Sequence, residues 1–350
     1  MFVGHPKHEL RGDGKLHLWQ VEKGKIKPLT RKIIEDFDIN VVQLHNNQFI
    51  GTRGIEEAQK MGIPTVWVFH DFWTLCPQRF MIRVWQAMDY DACYKINADK
   101  CIKCVGRYNY EMTRRQREII NKCDAGIVPS ERHIKIFEDN NLLVGKWKII
   151  KPWIDLEFFN IMKNVNKNPW QVFFAGNYIA HKGIQVLLKA WKMVNKRLPM
   201  AHLVAQGDYR SLDLVVNLAK SLNLMNVHFV ERMPPESLRG TYNESAIVVF
   251  PSIWEETVGL IWLEALACGT PVICSRTGSI PELLKYGGEM FEPRNHVELA
   301  EKIVDMLLLP KKRYKMAKEG YDYVRRNFDS RRAGDDFTKL YYELDLRNDI

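Results

Sequence analysis

Residues 247–282, IVVFPSIWEETVGLIWLEALACGTPVICSRTGSIPE, constrain what this chain can fold into more than any other stretch. The apolar run at 247–250 predicts a buried strand, and Pro251-Ser252 turns the chain into an acidic loop. A short helix is expected over about 258–267, with a second strand at 270–274. Glu264 falls on that helix, and Glu256 precedes it by eight positions in the loop. Thr257, Val258, Gly259 and Leu260 lie at or next to the helix start, so their N–H groups have no intrahelical partner. Such a terminus attracts phosphate or sugar oxygens. Gly259 lacks a Cβ, which lets a ligand come close to the backbone. Taken alone, two glutamates at this spacing also describe a solvated face beside a core helix.

The same strand–helix rhythm runs through the chain. In the first half, helices are expected at 29–37, 54–61, 109–122 and from about 130 to 140. Strands are expected at 39–45, after Gly-Ile-Pro up to Phe69, and at 125–129, with a last one in KWKII, and His70-Asp71 stands just past a strand end. The first thirty residues are weakly patterned, with MFVGHP as a strand end and 14–26 as a small hairpin. Polar, Asn-rich 160–169 predicts a linker. The second half restarts with strands at 170–175, 201–205, 226–230, 247–250 and 270–274. Helices fall between them, and three more follow over 297–309, 311–327 and 331–346. Strands alternating with helices make an α/β fold with doubly wound parallel sheets, whose ligands bind at the carboxyl ends of the strands. At 350 residues the chain is long enough for two such domains.

Over some twenty positions, 251–273 resembles the donor-binding signature of retaining GT-B glycosyltransferases of family 4, which use nucleotide sugars. Pro251, Ser252, Glu256, Gly259, Glu264, Ala265, Cys268, Gly269, Thr270, Pro271, Val272 and Ile273 carry the match. The resemblance implies two Rossmann-like domains facing a cleft. Residues 1–159 would form the acceptor side, abbreviated and bearing a cysteine insert at 76–104. Residues 160–329 would bind the donor, and 330–350 would cross back as a helix. It also implies transfer of a hexose from a UDP- or GDP-sugar to a hydroxyl of a glycan, lipid-linked or protein-linked acceptor. The anomeric configuration would be retained and no catalytic metal or further cofactor would be needed.

The resemblance assigns roles by position. AGNYIAHKG (175–183) matches a donor-diphosphate segment through Gly176, Lys182 and Gly183, but Asn177 stands where the family has arginine. A fixed cation stabilises a departing diphosphate, and Lys182 would supply it. The alternative is a solvated lysine at a helix start, where the dipole disfavours it. Glu256 would hold donor-sugar hydroxyls and Glu264 the ribose. His70 would face sugar and acceptor, or serve as a backbone-bonding structural histidine. Gly207 and Gly278 match glycines lining the donor cleft, or are turn glycines; Ser130 matches a family serine, or caps a helix. Asn177, and the lack before residue 39 of the family's strand, glycine loop and helix, favour a second reading: a nucleotide-sugar binder without turnover of its own.

Other features exclude or leave options open. Asp36-Phe-Asp38 precedes a strand and Asp89-Tyr-Asp91 lies in the insert, so neither predicts the Asp-x-Asp metal site of a different transferase fold. Without a strand followed by Gly-x-Gly-x-x-Gly, a dinucleotide dehydrogenase has little support. Cys76, Cys93, Cys101 and Cys104 allow a structural zinc site, a redox-labile pair or unbridged thiols. The net charge of +9 is spread along the chain. That suits anionic substrates but argues against a dedicated nucleic-acid surface. The basic stretch 107–122 predicts a solvated helix face, or a peripheral contact with an anionic membrane. No apolar run approaches the ~18–20 residues a membrane span needs, and the N-terminus is too charged for a signal peptide. Seven cysteines without such a signal point to a reducing cytoplasm.

Overall fold

The computed structural model describes residues 26–45, 51–86, 89–208 and 211–345. The first-half elements are α1 (Ile26–Asp36), β1 (Val42–Leu44), α2 (Arg53–Lys60), β2 (Thr65–Val68), β3 (Ile82–Gln86), β4 (Asp89–Ala92), α3 (Ala98–Val105), α4 (Arg107–Ile120), β5 (Ala125–Val128), α5 (Glu131–Asp139) and β6 (Lys146–Ile149). Parallel pairing in the order β1-β2-β5-β6 makes a four-stranded sheet, while β3 and β4 form a separate antiparallel pair. Both β2 (TVWV) and β5 (AGIV) are buried along their whole length, as parallel strands covered on both faces must be.

The second half contains β7 (Asn168–Ala175), α6 (Ile184–Arg197), β8 (His202–Gly207), α7 (Leu212–Ser221), β9 (Val227–Glu231), α8 (Pro235–Glu244), β10 (Ser245–Phe250), α9 (Leu260–Ala267), β11 (Val272–Ser275), α10 (Ile280–Leu283), β12 (Gly288–Phe291), α11 (His296–Leu308), α12 (Pro310–Asn327) and α13 (Ser330–Asp345). Its parallel sheet runs β12-β11-β10-β7-β8-β9. The chain therefore starts in the middle at β7, builds outward to β9, then returns beside β7 and builds the other way. The reversal falls between β7 and β10. In open α/β sheets the crevice for a ligand opens beyond the carboxyl ends of the two strands at such a point.

Several expectations shift. The sixth strand, β12, was not anticipated: GEMF at a sheet edge is short and begins on the second of two glycines, so periodicity says little. Helix α9 starts at Leu260, not Val258, with Gly259 as the residue before its first turn. The insert carries a β3–β4 pair and α3, where no regular structure was expected. The strand end at MFVGHP and the hairpin at 14–26, except for Ile26 itself, lie outside the described residues.

Helix α13 packs on the four-stranded sheet. Ala333, Leu340 and Leu344 form one apolar cluster with Val66, Val68, Ala125, Ile127 and Ile150, and Glu343 pairs with Lys146. On α4, Arg114 is engaged by both Glu111 and Glu118 of the same helix, and Arg117 reaches the Asn140 carbonyl. Among the described residues, no helix is long and apolar enough to cross a membrane.

Candidate active site

Two loops leave the sheet at its reversal point. The one after β7 ends in a single 3-10 turn, Ala180–Lys182, before α6. The one after β10 runs from Pro251 to Gly259 before α9. They bind each other through the backbone: the His181 carbonyl accepts from the Ile253 N–H at 2.9 Å, with Ser252 Oγ 3.1 Å away. This brings Lys182 Nζ to 2.7 Å from Glu256 Oε1. Ser252 Oγ and Trp254 Nε1 also donate to that oxygen, each at 2.6 Å. The carboxylate is almost completely buried, at 2% exposure, yet well partnered. Its second oxygen accepts no hydrogen bond among the described residues.

The glycines prove to be packing requirements. Gly259 is left-handed (φ +63°), and a Cβ there would stand 2.5 Å from the Phe250 ring. Gly278 is also left-handed (φ +54°) and lies against the backbone of Glu256, where a Cβ would fall 1.9 Å from the carbonyl oxygen. The Ser279 N–H donates to that same carbonyl at 3.0 Å. The later helix start makes Leu260 the first helical residue, so its N–H and those just after it have no intrahelical partner. Thr257 instead donates its hydroxyl to the His70 carbonyl at 2.7 Å, tying the loop to the end of β2.

The other expected residues are distributed around this centre. His70, Thr257, Val258 and Leu260 line one hollow of ≈ 360 Å³ with Trp153 and Phe337. Gly278 lines a second hollow of ≈ 850 Å³ between the halves, with Tyr94, Arg132 and Glu255. Gly176 and Gly207 lie side by side at the ends of β7 and β8, and Asn177 is exposed next to them. Glu264 points toward α8, accepting from the Tyr242 hydroxyl at 2.8 Å; burial raises its pKa, an effect the Tyr242 hydrogen bond partly offsets. Partial desolvation in the cleft holds His70 below its ordinary value, and so favours its neutral form.

Some residues at the site left no mark in the sequence. Phe80 from the insert packs on His181 with ring centroids 4.3 Å apart, and on Trp254 at 5.0 Å. Burial pushes the His181 pKa down to about 4, assisted by the neighbouring Lys182 charge. Ser130 stands before α5, but its hydroxyl bonds buried His133 (2.8 Å) and does not cap the helix. The cap comes from the other half of the chain: Glu282 accepts the backbone N–H groups of Glu131 (2.9 Å) and Arg132 (2.8 Å). Arg132 in turn pairs with Glu255 at 2.6 Å. Residues 150 positions apart share no local pattern that would announce them.

Among the described residues, no three His, Cys, Asp or Glu side chains are grouped so as to hold a metal ion. All seven cysteines lack disulfides. Burial raises the Cys76 thiol to about 11, Cys93 contacts the Lys95 carbonyl, and Cys104 accepts from Gln78 on the surface. These four thiols do not gather into the tetrahedral set that their spacing allows.

Residues 157–323 match the family model described as Glycosyl transferases group 1. Among curated proteins, D-inositol 3-phosphate glycosyltransferase of Corynebacterium jeikeium is 32% identical over 251 residues, 65% of this chain and 59% of that protein. Spore coat protein SA of Bacillus subtilis is 27% identical over 180 residues, 49% of this chain and 48% of that protein. The chain thus spans about half the length of the curated relatives it matches. Of solved structures, Anabaena HepE in complex with UDP and glucose superposes with a TM-score of 0.71 at 17% identity, covering 92% of this chain and 83% of that one. Sucrose-phosphate synthase from Thermosynechococcus elongatus gives 0.69 at 18% identity, covering 92% and 77%. The fold is GT-B.

In this GT-B frame the four-stranded and six-stranded sheets are the two α/β domains. Lys182 and Glu256 belong to the six-stranded one, and both fall inside the family-model match. His70 and α5 belong to the other and meet the Glu256 loop through its neighbours, His70 through Thr257 and α5 through the Arg132–Glu255 pair.

Proposed function

We propose that this protein transfers a hexose from a UDP- or GDP-sugar to an acceptor hydroxyl with retention of anomeric configuration. The observation that carries this reading is the meeting of Lys182 and Glu256 from two loops at the sheet reversal, with the next residue, Thr257, bonded to the His70 carbonyl. In the proposed step the bond between the sugar's anomeric carbon and the phosphate oxygen breaks, and its electron pair leaves with the phosphate. The acceptor oxygen bonds that carbon on the same face, and its proton passes to the departing phosphate oxygen.

Lys182 stabilises the negative charge that builds on the diphosphate, and the unpaired N–H groups at the start of α9 add fixed dipoles. Glu256 offers its second oxygen to sugar hydroxyls, and Glu264 accepts from the ribose. The protein supplies orientation and electrostatics rather than a nucleophile, and no metal is assigned a role. The acceptor is a glycan, a lipid-linked or a protein-linked hydroxyl. In support, one relative carries the name D-inositol 3-phosphate glycosyltransferase and residues 157–323 match the group 1 glycosyl transferase model, and the nucleotide in a structural neighbour is UDP.

The exposed Asn177, in the place of a second cation, favours an alternative in which the protein binds nucleotide sugars without turning them over alone. Incubation with a UDP- and GDP-sugar panel and candidate acceptors, followed by NMR of the product's anomeric proton, separates the two. A retained configuration supports transfer. Melting shifts with nucleotides but no product would replace it with the binding reading.

A further inference from the structure

Four side chains form a directional chain that ends on His70. Gln43 and His45 are two residues apart at the end of β1, which puts them on the same face. The Tyr341 hydroxyl of α13 donates to Gln43 Oε1 at 2.7 Å. That turns Gln43 Nε2 toward His45 Nε2, 2.6 Å away. His45 Nδ1 lies 2.9 Å from His70 Nε2. The two imidazoles have centroids 5.2 Å apart and planes only 17° from parallel. A nitrogen contact this short, at that centroid separation, sets the rings edge to edge in a nearly common plane. The bond then lies along an in-plane lone pair, the strong geometry for a ring nitrogen acceptor.

Each group in the chain has one way to serve its neighbours. An amide N–H can only donate, so His45 Nε2 must be the unprotonated nitrogen. The His45 proton then sits on Nδ1 and is given to His70 Nε2. Reversing the order would make Tyr341 an acceptor and leave its own proton without a partner among the described residues. Desolvation lowers the pKa of both histidines, and their proximity lowers that of His45 further, so the rings stay neutral and the tautomers are well defined.

We propose that His45 is a positioning residue that fixes His70 as the Nδ1–H tautomer, making it a hydrogen-bond donor in the cleft and not a proton acceptor. This rests on the transfer reading above and assigns one function to His70 within it. Nδ1–H, which has no partner among the described residues, donates to a hydroxyl or phosphate oxygen of the bound donor sugar. With Nε2 already occupied by the His45 proton, His70 does not remove the acceptor proton, which goes to the leaving phosphate.

The test is long-range proton–nitrogen NMR of the histidine rings in the full chain, with His45→Phe and Gln43→Leu beside the wild type. His45→Phe keeps a flat ring beside His70 but has no proton to give. The wild type is expected to show His70 protonated on Nδ1 and bare on Nε2. In His45→Phe that signature should be lost, and turnover should fall about tenfold with little change in the KM for donor. Gln43→Leu should give a mixture of His45 tautomers. A wild-type His70 protonated on Nε2 overturns the proposal, as does an unchanged His70 signature or unchanged turnover in His45→Phe. Absence of turnover in the wild type would instead count against the transfer reading, while the ring signatures would still decide the tautomer.

Discussion

Lys182 Nζ rests 2.7 Å from Glu256 Oε1, so the cation and the carboxylate of this cleft hold each other across 74 residues of sequence. A donor diphosphate entering the site competes with Glu256 for the ammonium, and the affinity it gains is offset by the pair it weakens. The stronger pull comes when the phosphate carries its full leaving charge. Lys182→Ala is therefore expected to lower turnover by about 100-fold, the size seen when one fixed charge-stabilising group is lost. Donor affinity should change much less. Single-turnover kinetics beside calorimetric binding of UDP and GDP check this, and equal losses in both would show that Lys182 acts in ground-state binding alone.

At Glu264 the hydrogen bond from buried Tyr242 separates binding from stability. Glu264→Ala removes the acceptor and leaves the Tyr242 hydroxyl unsatisfied, at a cost of about 1–3 kcal/mol. Glu264→Gln keeps an acceptor for Tyr242 but loses the charge. Both variants should bind nucleotide about tenfold more weakly, as expected for one lost charge-assisted hydrogen bond. The melting temperature should fall clearly only in Glu264→Ala. Nucleotide titrations and thermal unfolding of the two variants give the comparison.

The second half of this architecture was legible because its strands are buried on both faces and its helices are punctuated by Gly and Pro. β10 and β11 appear in the sequence as short apolar runs, and they lie where expected to within two residues. The Lys182 and Glu256 loops were legible only through the resemblance, because nothing local states that two loops 74 residues apart share a crevice. β12 was missed because an edge strand of four residues has no periodicity to read. Phe80, Glu282 and His45 act through contacts fixed by tertiary packing. Their side chains are ordinary in sequence, and only the sheet order makes them neighbours of the site.

Glu282 and Arg132 form a clamp between the two domains, and it replaces the local cap that Ser130 does not provide. Glu282→Ala should remove the N-terminal cap of α5, about 1 kcal/mol of local stabilisation, and with it both Glu282 bonds across the cleft. Glu282→Gln retains an acceptor oxygen and should lose less. Small-angle scattering is expected to show a more open average shape for Glu282→Ala, with donor binding weakened several-fold. A variant that scatters and binds as the wild type would show that the clamp does not set closure.

Gly278 has no tolerance for a side chain. Its φ of +54° disfavours any L residue, and a Cβ would meet the Glu256 carbonyl oxygen at 1.9 Å. Gly278→Ala is expected to cost at least about 2 kcal/mol, from the left-handed backbone together with the collision. The loop must move to relieve it, and with it the Glu256 carboxylate. Urea unfolding should report the loss, and nucleotide-sugar binding should weaken although no ligand-contacting side chain has been altered. Unchanged stability would show that the loop yields without strain.

His181 sets an acid limit on the domain that holds the site. Its ring is buried between Phe80 and Trp254, and burial lowers its pKa from 6.5 to about 4. In the unfolded chain the ring accepts a proton near pH 6.5, whereas in the folded protein it does so only near pH 4. Between those values the unfolded state binds more protons, so stability falls as the pH is lowered through this window and levels off below it. The shift corresponds to about 3 kcal/mol at full development. His181→Phe keeps an aromatic ring between the same neighbours and removes the titration. Urea midpoints measured from pH 7 to 4 should therefore fall less steeply in His181→Phe than in the wild type, and parallel curves would mean that other groups carry the acid sensitivity.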